Sequence, residues 1–114
     1  MVMEYFIKQQ PEGLLCCLRG DLDLHSCDSL RLDLILKLKT THVRKLVFDL
    51  SQLDFIDSSG LGVILGRHRE LMAIGGKVEI RGAKDSVYKL LQLSGITRII
   101  EVNKAEGAGK YERG

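Results

Sequence analysis

The sequence predicts a single α/β domain with a small mixed β-sheet of about five strands, flanked by three to four helices. A chain of 114 residues has the usual size of one domain. Segments with apolar residues at every second position are interspersed with segments in which they recur every three or four positions. A composition of 45% hydrophobic and only 5% aromatic residues indicates a core of Leu, Ile and Val.

An N-terminal antiparallel hairpin is predicted first. Apolar residues alternate over residues 3–9 and again over residues 14–19, which is typical of half-buried strands. Gln10-Pro11-Glu12-Gly13 lies between them and has the composition of a turn. We therefore expect the two strands to pair with each other.

A first helix is predicted from Ser26, a suitable N-cap, to about residue 39. The residues at helical spacing are Cys27, Leu30, Leu34 and Leu38. Thr40 and Thr41 are expected to lead out of the helix. This helix would connect the hairpin to the next strand.

A parallel βαβ unit is predicted over about 35 residues. Lys45 to Leu50 is a nearly continuous apolar run, as expected of a central strand. A helix from about Ser58 to Ile74 follows and ends at Gly75-Gly76, before a strand with Val78 and Ile80. Its apolar stripe is predicted to contain Leu61, Ile64, Leu65, His68, Leu71 and Met72. The crossover should be right-handed, which makes the two strands parallel and the sheet mixed.

The last predicted elements are a helix over about residues 84–94, ended by Gly95, and an edge strand over residues 98–102. The domain is therefore expected to occupy residues 1–102. Residues 103–114 are polar and Gly-rich, and we expect this tail to be frayed or to form at most one weak helical turn.

Composition argues against several classes of partner. The formal net charge is +2, from 17 basic and 15 acidic residues that are well interleaved, so no direct nucleic-acid or membrane binding is indicated. No window approaches 18 unbroken apolar residues, and an acid stands where a signal peptide has bases, which predicts a soluble, cytoplasmic protein. Cys16, Cys17 and Cys27 lack metal-type spacing and are expected to be buried free thiols. No metal and no cofactor are predicted.

The most informative motif is Asp57-Ser58-Ser59-Gly60-Leu61-Gly62, which places two hydroxyls and a carboxylate where a strand-and-loop segment becomes a helix. Backbone N–H groups at a helix start lack intrahelical partners and favour an anion together with the macrodipole. Phosphorylation of Ser58 would add about −1.5 to −2 charge there. The motif therefore predicts a switchable phosphate site.

Catalytic interpretations of the same residues are weaker. Gly60, Gly62 and Gly66 nearly match the dinucleotide fingerprint, but the third glycine falls one position late. Instead, these glycines would allow close helix packing or leave a surface poor in side chains for a partner. The nucleophile elbow of a serine hydrolase is absent, His42 and His68 are expected to be structural, and His25 is the only candidate base. Asp54 and Asp57 are expected to cap the helix or face solvent, so no catalytic residue is assigned.

The chain resembles the STAS-domain anti-sigma factor antagonists, most closely their sporulation branch, over about residues 3–102. The residues that carry the resemblance are Gly20-Asp21-Leu22-Asp23-Leu24-His25, the run from Phe55 to Arg67, Gly75-Gly76 and Leu93-Ser94-Gly95. Two features depart from the family pattern. Leu24 stands where close relatives have a polar residue, and the Gly-rich tail replaces a more apolar last helix.

The resemblance implies a partner and a switch. The partner would be an anti-sigma factor that is itself an ATP-dependent serine kinase, and Ser58 would be the residue that it phosphorylates. The unphosphorylated form would bind the anti-sigma factor and free the sigma factor, and a serine phosphatase would restore this form. The residues expected to line the partner-binding surface are Asp23, Asp57, Ser59, Gly60, Leu61 and Gly62.

Two other functions remain open at this stage. A STAS interaction or scaffold module of a stress-response pathway would share the fold and the serine but answer to another kinase. A small nucleotide-binding or hydrolytic enzyme could use the glycine-rich helix start, although the motif lacks the lysine of a phosphate-binding loop. For the favoured function, a phosphate beside Asp57 would set like charges together and weaken docking without unfolding the domain.

Overall fold

The computed structural model describes residues 3–105. Its strands are β1 (Glu4–Gln10), β2 (Gly13–Leu22), β3 (Lys45–Ile56), β4 (Lys77–Ala83) and β5 (Glu101–Lys104). Its helices are α1 (Cys27–Thr41), α2 (Ser58–Met72), α3 (Asp85–Ser94) and a 3-10 turn over Ile96–Arg98. The sheet has the order β1-β2-β3-β4-β5, with β1 antiparallel to β2 and every other pair parallel. The predicted fold class is confirmed.

The helices cover one face of the sheet. Each crossover from β2 to β5 moves one strand in the same direction, so right-handed connections place α1, α2 and α3 on the same side. Leu46, Phe48 and Leu50 of β3 belong to a hydrophobic core together with residues of all three helices. Val47 and Glu79 are also buried but lie outside that core, as expected for residues that alternate to the opposite face.

The first helix begins after Ser26 as predicted but ends later than predicted. Ser26 occupies the N-cap position, but its side chain makes no cap hydrogen bond. Thr40 and Thr41 belong to the last turn, where their hydroxyls donate to the carbonyls of Leu36 and Lys37 at 3.0 and 2.6 Å. The expectation that the two threonines lead out of the helix is wrong, because α1 continues to Thr41 and His42 is its C-cap.

The βαβ unit is confirmed, but its first strand is longer than predicted. The buried face of its helix also differs from the predicted apolar stripe. β3 continues to Ile56, so residues 51–56, expected to be partly loop, pair with β2. The buried positions of α2 include Val63 and Arg67 rather than Met72, which is 59% exposed. Arg67 is tolerated inside because Glu70 accepts from its Nε and Nη2 at 2.9 and 3.1 Å. A guanidinium with a carboxylate partner can be buried where an unpaired one could not.

The C-terminal prediction requires two corrections. α3 and its end at Gly95, where φ is 86°, are confirmed. The strand predicted over residues 98–102 is instead β5, which begins at Glu101 after the 3-10 turn and extends to Lys104. Asn103 and Lys104 therefore belong to the sheet and not to the tail. The rest of the predicted tail, residues 106–114, lies outside the described residues.

The cysteine prediction holds for two of the three thiols. Cys16 and Cys27 are buried, at 0% and 4% exposure. Cys17 is only half-buried because it points to the sheet face that carries no helix.

Within residues 3–105, no helix is long and apolar enough to cross a membrane.

Candidate partner-binding site

The predicted site lies at the edge of the sheet where β2 and β3 end. These strands are parallel, and Leu22 pairs with Ile56 at their carboxyl ends. The loop into α1 and the first turn of α2 therefore start side by side. This arrangement brings Asp23 and the Asp57-Ser58-Ser59 run to one edge of the molecule.

Asp57 joins the two segments. It has the extended backbone of an N-cap, with φ −109° and ψ −172°. Its Oδ1 accepts a hydrogen bond from the N–H of Gly60 at 3.0 Å, and its Oδ2 accepts one from the N–H of Leu24 at 3.2 Å. Its own N–H donates to the carbonyl of Leu22 at 3.2 Å. The carboxylate thus caps α2 and at the same time fixes the loop that precedes α1.

That loop has its own hydrogen-bond network, which we call the Ser26 turn (residues 21–26). Ser26 Oγ accepts from the N–H of Asp23 and donates to the carbonyl of Asp21, both at 3.0 Å. Asp23 Oδ1 accepts from the N–H of His25 at 3.0 Å, while the carbonyl of Asp23 accepts from the N–H of Ser26 and of Cys27. Ser26 therefore orders the loop rather than the helix.

Ser58 is the first residue of α2 and is exposed, while Ser59 is half-buried. Across residues 3–105, no hydrogen bond involves the hydroxyl of Ser58, so this group is available to another molecule. The position also suits negative charge, because the first N–H groups of a helix lack intrahelical partners. An exposed neutral hydroxyl thus lies where a phosphate can be accommodated.

The glycines of the motif have different surroundings. A Cβ atom on Gly60 would lie 2.6 Å from the carbonyl oxygen of Leu22 and 2.8 Å from Cγ1 of Ile56. A Cβ atom on Gly62 would meet nothing within 4 Å. Gly60 is buried and serves packing, so it offers little surface to a partner, whereas Gly62 leaves open surface. Leu61, between them, is partly buried against the core.

The charge at this edge is negative. Residues 20–28 and 52–62 contain five aspartates and no lysine or arginine. Asp28 pairs with Arg31 at 2.9 Å, and Asp54 pairs with Lys84 at 2.5 Å. Asp23 and Asp57 instead accept backbone N–H groups. A partner with basic side chains would complement this surface.

One histidine of the serine helix is too far from Ser58 to act on it. His68 lies ten residues after Ser58 on the same helix, which separates the two by about 15 Å along the axis. His68 therefore cannot act as a base on the Ser58 hydroxyl. In the part of the chain covered by the structure, no group of three or more His, Cys, Asp or Glu could hold a metal ion.

The fold is a five-stranded mixed sheet with three helices on one face, and an exposed serine stands at the capped start of α2. The model of the STAS domain family matches residues 5–108. The chain belongs to this family.

Several curated relatives of the chain are named anti-sigma factor antagonists. It is 35% identical over 89 residues to an anti-sigma F factor antagonist of Paenibacillus polymyxa, covering 78% of this chain and 76% of that protein. It is 33% identical over 85 residues to the anti-sigma F factor antagonist of Lysinibacillus sphaericus, covering 75% and 73% of the two chains. The anti-sigma-B factor antagonist of Bacillus subtilis is 27% identical, with 89% of this chain and 92% of that protein covered.

Solved structures agree with the fold. The phosphorylated form of the Bacillus cell fate determinant SpoIIAA is 27% identical and superposes with a TM-score of 0.71, covering 95% of this chain and 98% of SpoIIAA. An anti-sigma factor antagonist from Mycobacterium paratuberculosis has a TM-score of 0.81 at 14% identity, covering 96% and 92% of the two chains. The second likeness establishes the fold only.

Proposed function

We propose that this protein is an anti-sigma factor antagonist controlled by phosphorylation of Ser58. In the unphosphorylated state it binds an anti-sigma factor and thereby releases the sigma factor. The anti-sigma factor is also an ATP-dependent serine kinase, which modifies Ser58 and so ends the interaction. A serine phosphatase returns the protein to its binding state.

One observation supports this proposal most strongly: the first residue of a capped helix has an exposed hydroxyl that makes no hydrogen bond to any group of residues 3–105. Asp57 fixes the first turn of α2 through Gly60 and the neighbouring loop through Leu24. Ser58 is therefore presented on a rigid edge, and docking requires no rearrangement of this protein. Rigid presentation lowers the entropy cost of binding.

The switch has a physical basis in charge. Phosphoryl transfer requires the acceptor hydroxyl to point at the terminal phosphate of the nucleotide, so phosphoserine formed there faces the remaining nucleotide phosphates. The phosphate on Ser58 would also lie next to the carboxylate of Asp57, and docking would remove water from both anionic groups. A penalty of about 3 kcal/mol would weaken binding roughly a hundredfold.

The partner surface of this proposal contains Asp23, Asp57, Ser59, Leu61 and Gly62. Gly62 leaves open space for the approach of another molecule. Gly60 was expected at this surface from the sequence. It is buried against Leu22 and instead allows α2 to pack closely on the end of β2. Asp23 contributes charge through a side chain fixed by the N–H of His25.

The phosphoacceptor is tested by mixing the protein with the anti-sigma factor of the source organism and ATP, followed by mass mapping. Ser58→Ala should abolish phosphate incorporation, and Ser59→Ala, the matched control, should retain it. Phosphate on Ser59 alone would overturn the assignment.

The switch is tested by calorimetry with the same anti-sigma factor loaded with ADP. Ser58→Asp should weaken binding strongly, whereas Ser58→Ala should bind as the wild type does. Equal affinity of wild type and the phosphorylated protein would refute the switch.

The second candidate is a STAS module of a stress-response pathway, which would use the same serine with another kinase. This second candidate is retained because the chain is similar to the anti-sigma-B factor antagonist of Bacillus subtilis over 89% of its length. Pull-down of the anti-sigma kinase, followed by identification of the sigma factor bound to it, distinguishes the two pathways.

A further inference from the structure

Resting on the proposed function, we propose that Leu24 is an apolar anchor of the partner-binding surface and helps to select the anti-sigma factor. Its side chain would insert into an apolar pocket on that protein, next to a basic side chain that pairs with Asp23. This assigns a role to a residue outside the serine motif, residues 57–62.

Leu24 is 67% exposed. A single exposed leucine is common on protein surfaces and means little by itself. Leu24 is distinguished by its position, because its N–H donates to Oδ2 of Asp57, the residue directly before Ser58. Any molecule that covers the Ser58 hydroxyl closely therefore approaches Leu24 as well.

The backbone that carries Leu24 is held on both sides. Asp57 binds its N–H, and the carbonyl of the preceding residue, Asp23, accepts two backbone N–H groups at 3.1 and 3.0 Å. Ser26 Oγ ties this turn to the carbonyl of Asp21. Because this backbone is already ordered, a partner that covers Leu24 does not have to order the loop on binding.

Charge defines the kind of pocket. The stretches 20–28 and 52–62 supply aspartates but no lysine or arginine. Oδ1 of Asp23 accepts the N–H of His25, and within residues 3–105 no hydrogen bond is made by its Oδ2. A pocket bordered by lysine or arginine would complement this carboxylate, whereas an acidic border would be repelled. The expected partner surface is thus apolar at its centre and basic at its rim.

Other exposed leucines do not share this setting and provide controls. Leu93 is 77% exposed on α3, and Leu32 is 62% exposed on α1. Neither of them is hydrogen-bonded to a residue of the serine motif. Leu93→Ser removes the same apolar group as Leu24→Ser from a surface that the proposal leaves uncovered.

The test is calorimetry of Leu24→Ser, Leu24→Met and Leu93→Ser with the ADP-loaded anti-sigma factor of the source organism. Leu24→Ser should raise Kd about tenfold or more. Leu24→Met and Leu93→Ser should remain within about twofold of the wild type. Urea unfolding of each variant checks that the fold is retained, and an exposed side chain should leave the midpoint unchanged.

The outcomes separate this inference from the proposed function. If Leu24→Ser binds like the wild type while Ser58→Asp is weakened, the anchor is refuted and the proposed function stands. If the wild type itself fails to bind the anti-sigma factor, the proposed function fails and the anchor fails with it. If Leu24→Ser and Leu93→Ser weaken binding equally, the effect is not local and the anchor is refuted.

Discussion

The carbonyl oxygen of Leu22 lies 2.6 Å from the point where a Cβ atom on Gly60 would stand. This distance is shorter than any real contact of that kind, so the end of β2 and the first turn of α2 can meet only because residue 60 is glycine. Gly62, two positions later, has no neighbour within 4 Å of the same point. Two glycines of one motif thus have opposite roles, one in packing and the other in surface shape.

Alanine substitutions should reveal this difference in stability. Gly60→Ala should lower the free energy of unfolding by about 1–3 kcal/mol, because backbone must move to admit the methyl group. Gly62→Ala should raise it by about 0.5–1 kcal/mol, because alanine favours the helix and meets no obstacle. Urea unfolding measures both, and equal effects of the two substitutions would contradict the assignment.

Removal of the Asp57 carboxylate should loosen two segments at once. Asp57→Ala should lower the free energy of unfolding by about 1–2 kcal/mol through loss of the cap. It should also speed amide hydrogen exchange at Leu24 as well as Gly60, since both N–H groups donate to this carboxylate. Asp54→Ala is the control, because it removes only an exposed ion pair with Lys84. Unchanged exchange at Leu24 would show that the loop is held without Asp57.

The order and type of the regular elements could be predicted from the sequence because their signals are local. Gly95 ends α3 as predicted, and the hairpin and the βαβ unit follow from apolar periodicity and turn residues. The exact ends depended on partners distant in sequence. β3 extends to Ile56 because Leu22 pairs with it, and β5 includes Asn103 and Lys104 because β4 offers a free edge.

The candidate site was predictable in part. The motif indicated the helix start and the exposed Ser58. It could not show that Gly60 is buried against Leu22, since that contact joins residues 38 positions apart in the chain. It also could not show that Ser26 orders the loop instead of capping α1, because a serine before a helix has the same sequence signature in both cases.

Stability should fall in acid through Glu79, a carboxylate that is 6% exposed on the face without helices. Arg81 at 2.6 Å and Lys45 at 3.3 Å stabilise its charged form and lower its pKa. A group whose pKa is lower in the folded state stabilises the protein above the unfolded value of about 4.3, and this contribution is lost as pH falls through the folded value. The free energy of unfolding should therefore decrease as the pH is lowered from about 5.

The contribution of Glu79 is isolated by comparing the pH dependence of two variants. Glu79→Gln should flatten the acid limb of the stability curve, measured by urea unfolding at a series of pH values. Glu4→Gln should leave it unchanged, because Glu4 is 74% exposed in its pair with Arg19. Identical acid limbs for wild type and Glu79→Gln would show that other carboxylates determine it.

A negative charge on Ser58 should leave the fold intact. The side chain is exposed at the first residue of α2, where the helix dipole favours an anion by about 0.3–1 kcal/mol, and this gain opposes repulsion from Asp57. Ser58→Asp should thus change the free energy of unfolding by less than about 1 kcal/mol while it weakens binding. Loss of cooperative urea unfolding in Ser58→Asp would mean that binding is lost through unfolding and not through charge.

Thiol labelling should distinguish Cys17 from the other two cysteines. Cys16 and Cys27 are almost fully buried, so only Cys17 should react with a disulfide reagent in the native protein, and all three should react in urea. Burial and the Asp49 carboxylate, 3.9 Å away, raise the pKa of Cys17, which keeps the thiolate scarce at neutral pH. Asp49→Asn should therefore accelerate labelling, whereas Cys17→Ser should abolish it under native conditions. Fast native labelling of a second thiol would show that the core opens more readily than its packing predicts.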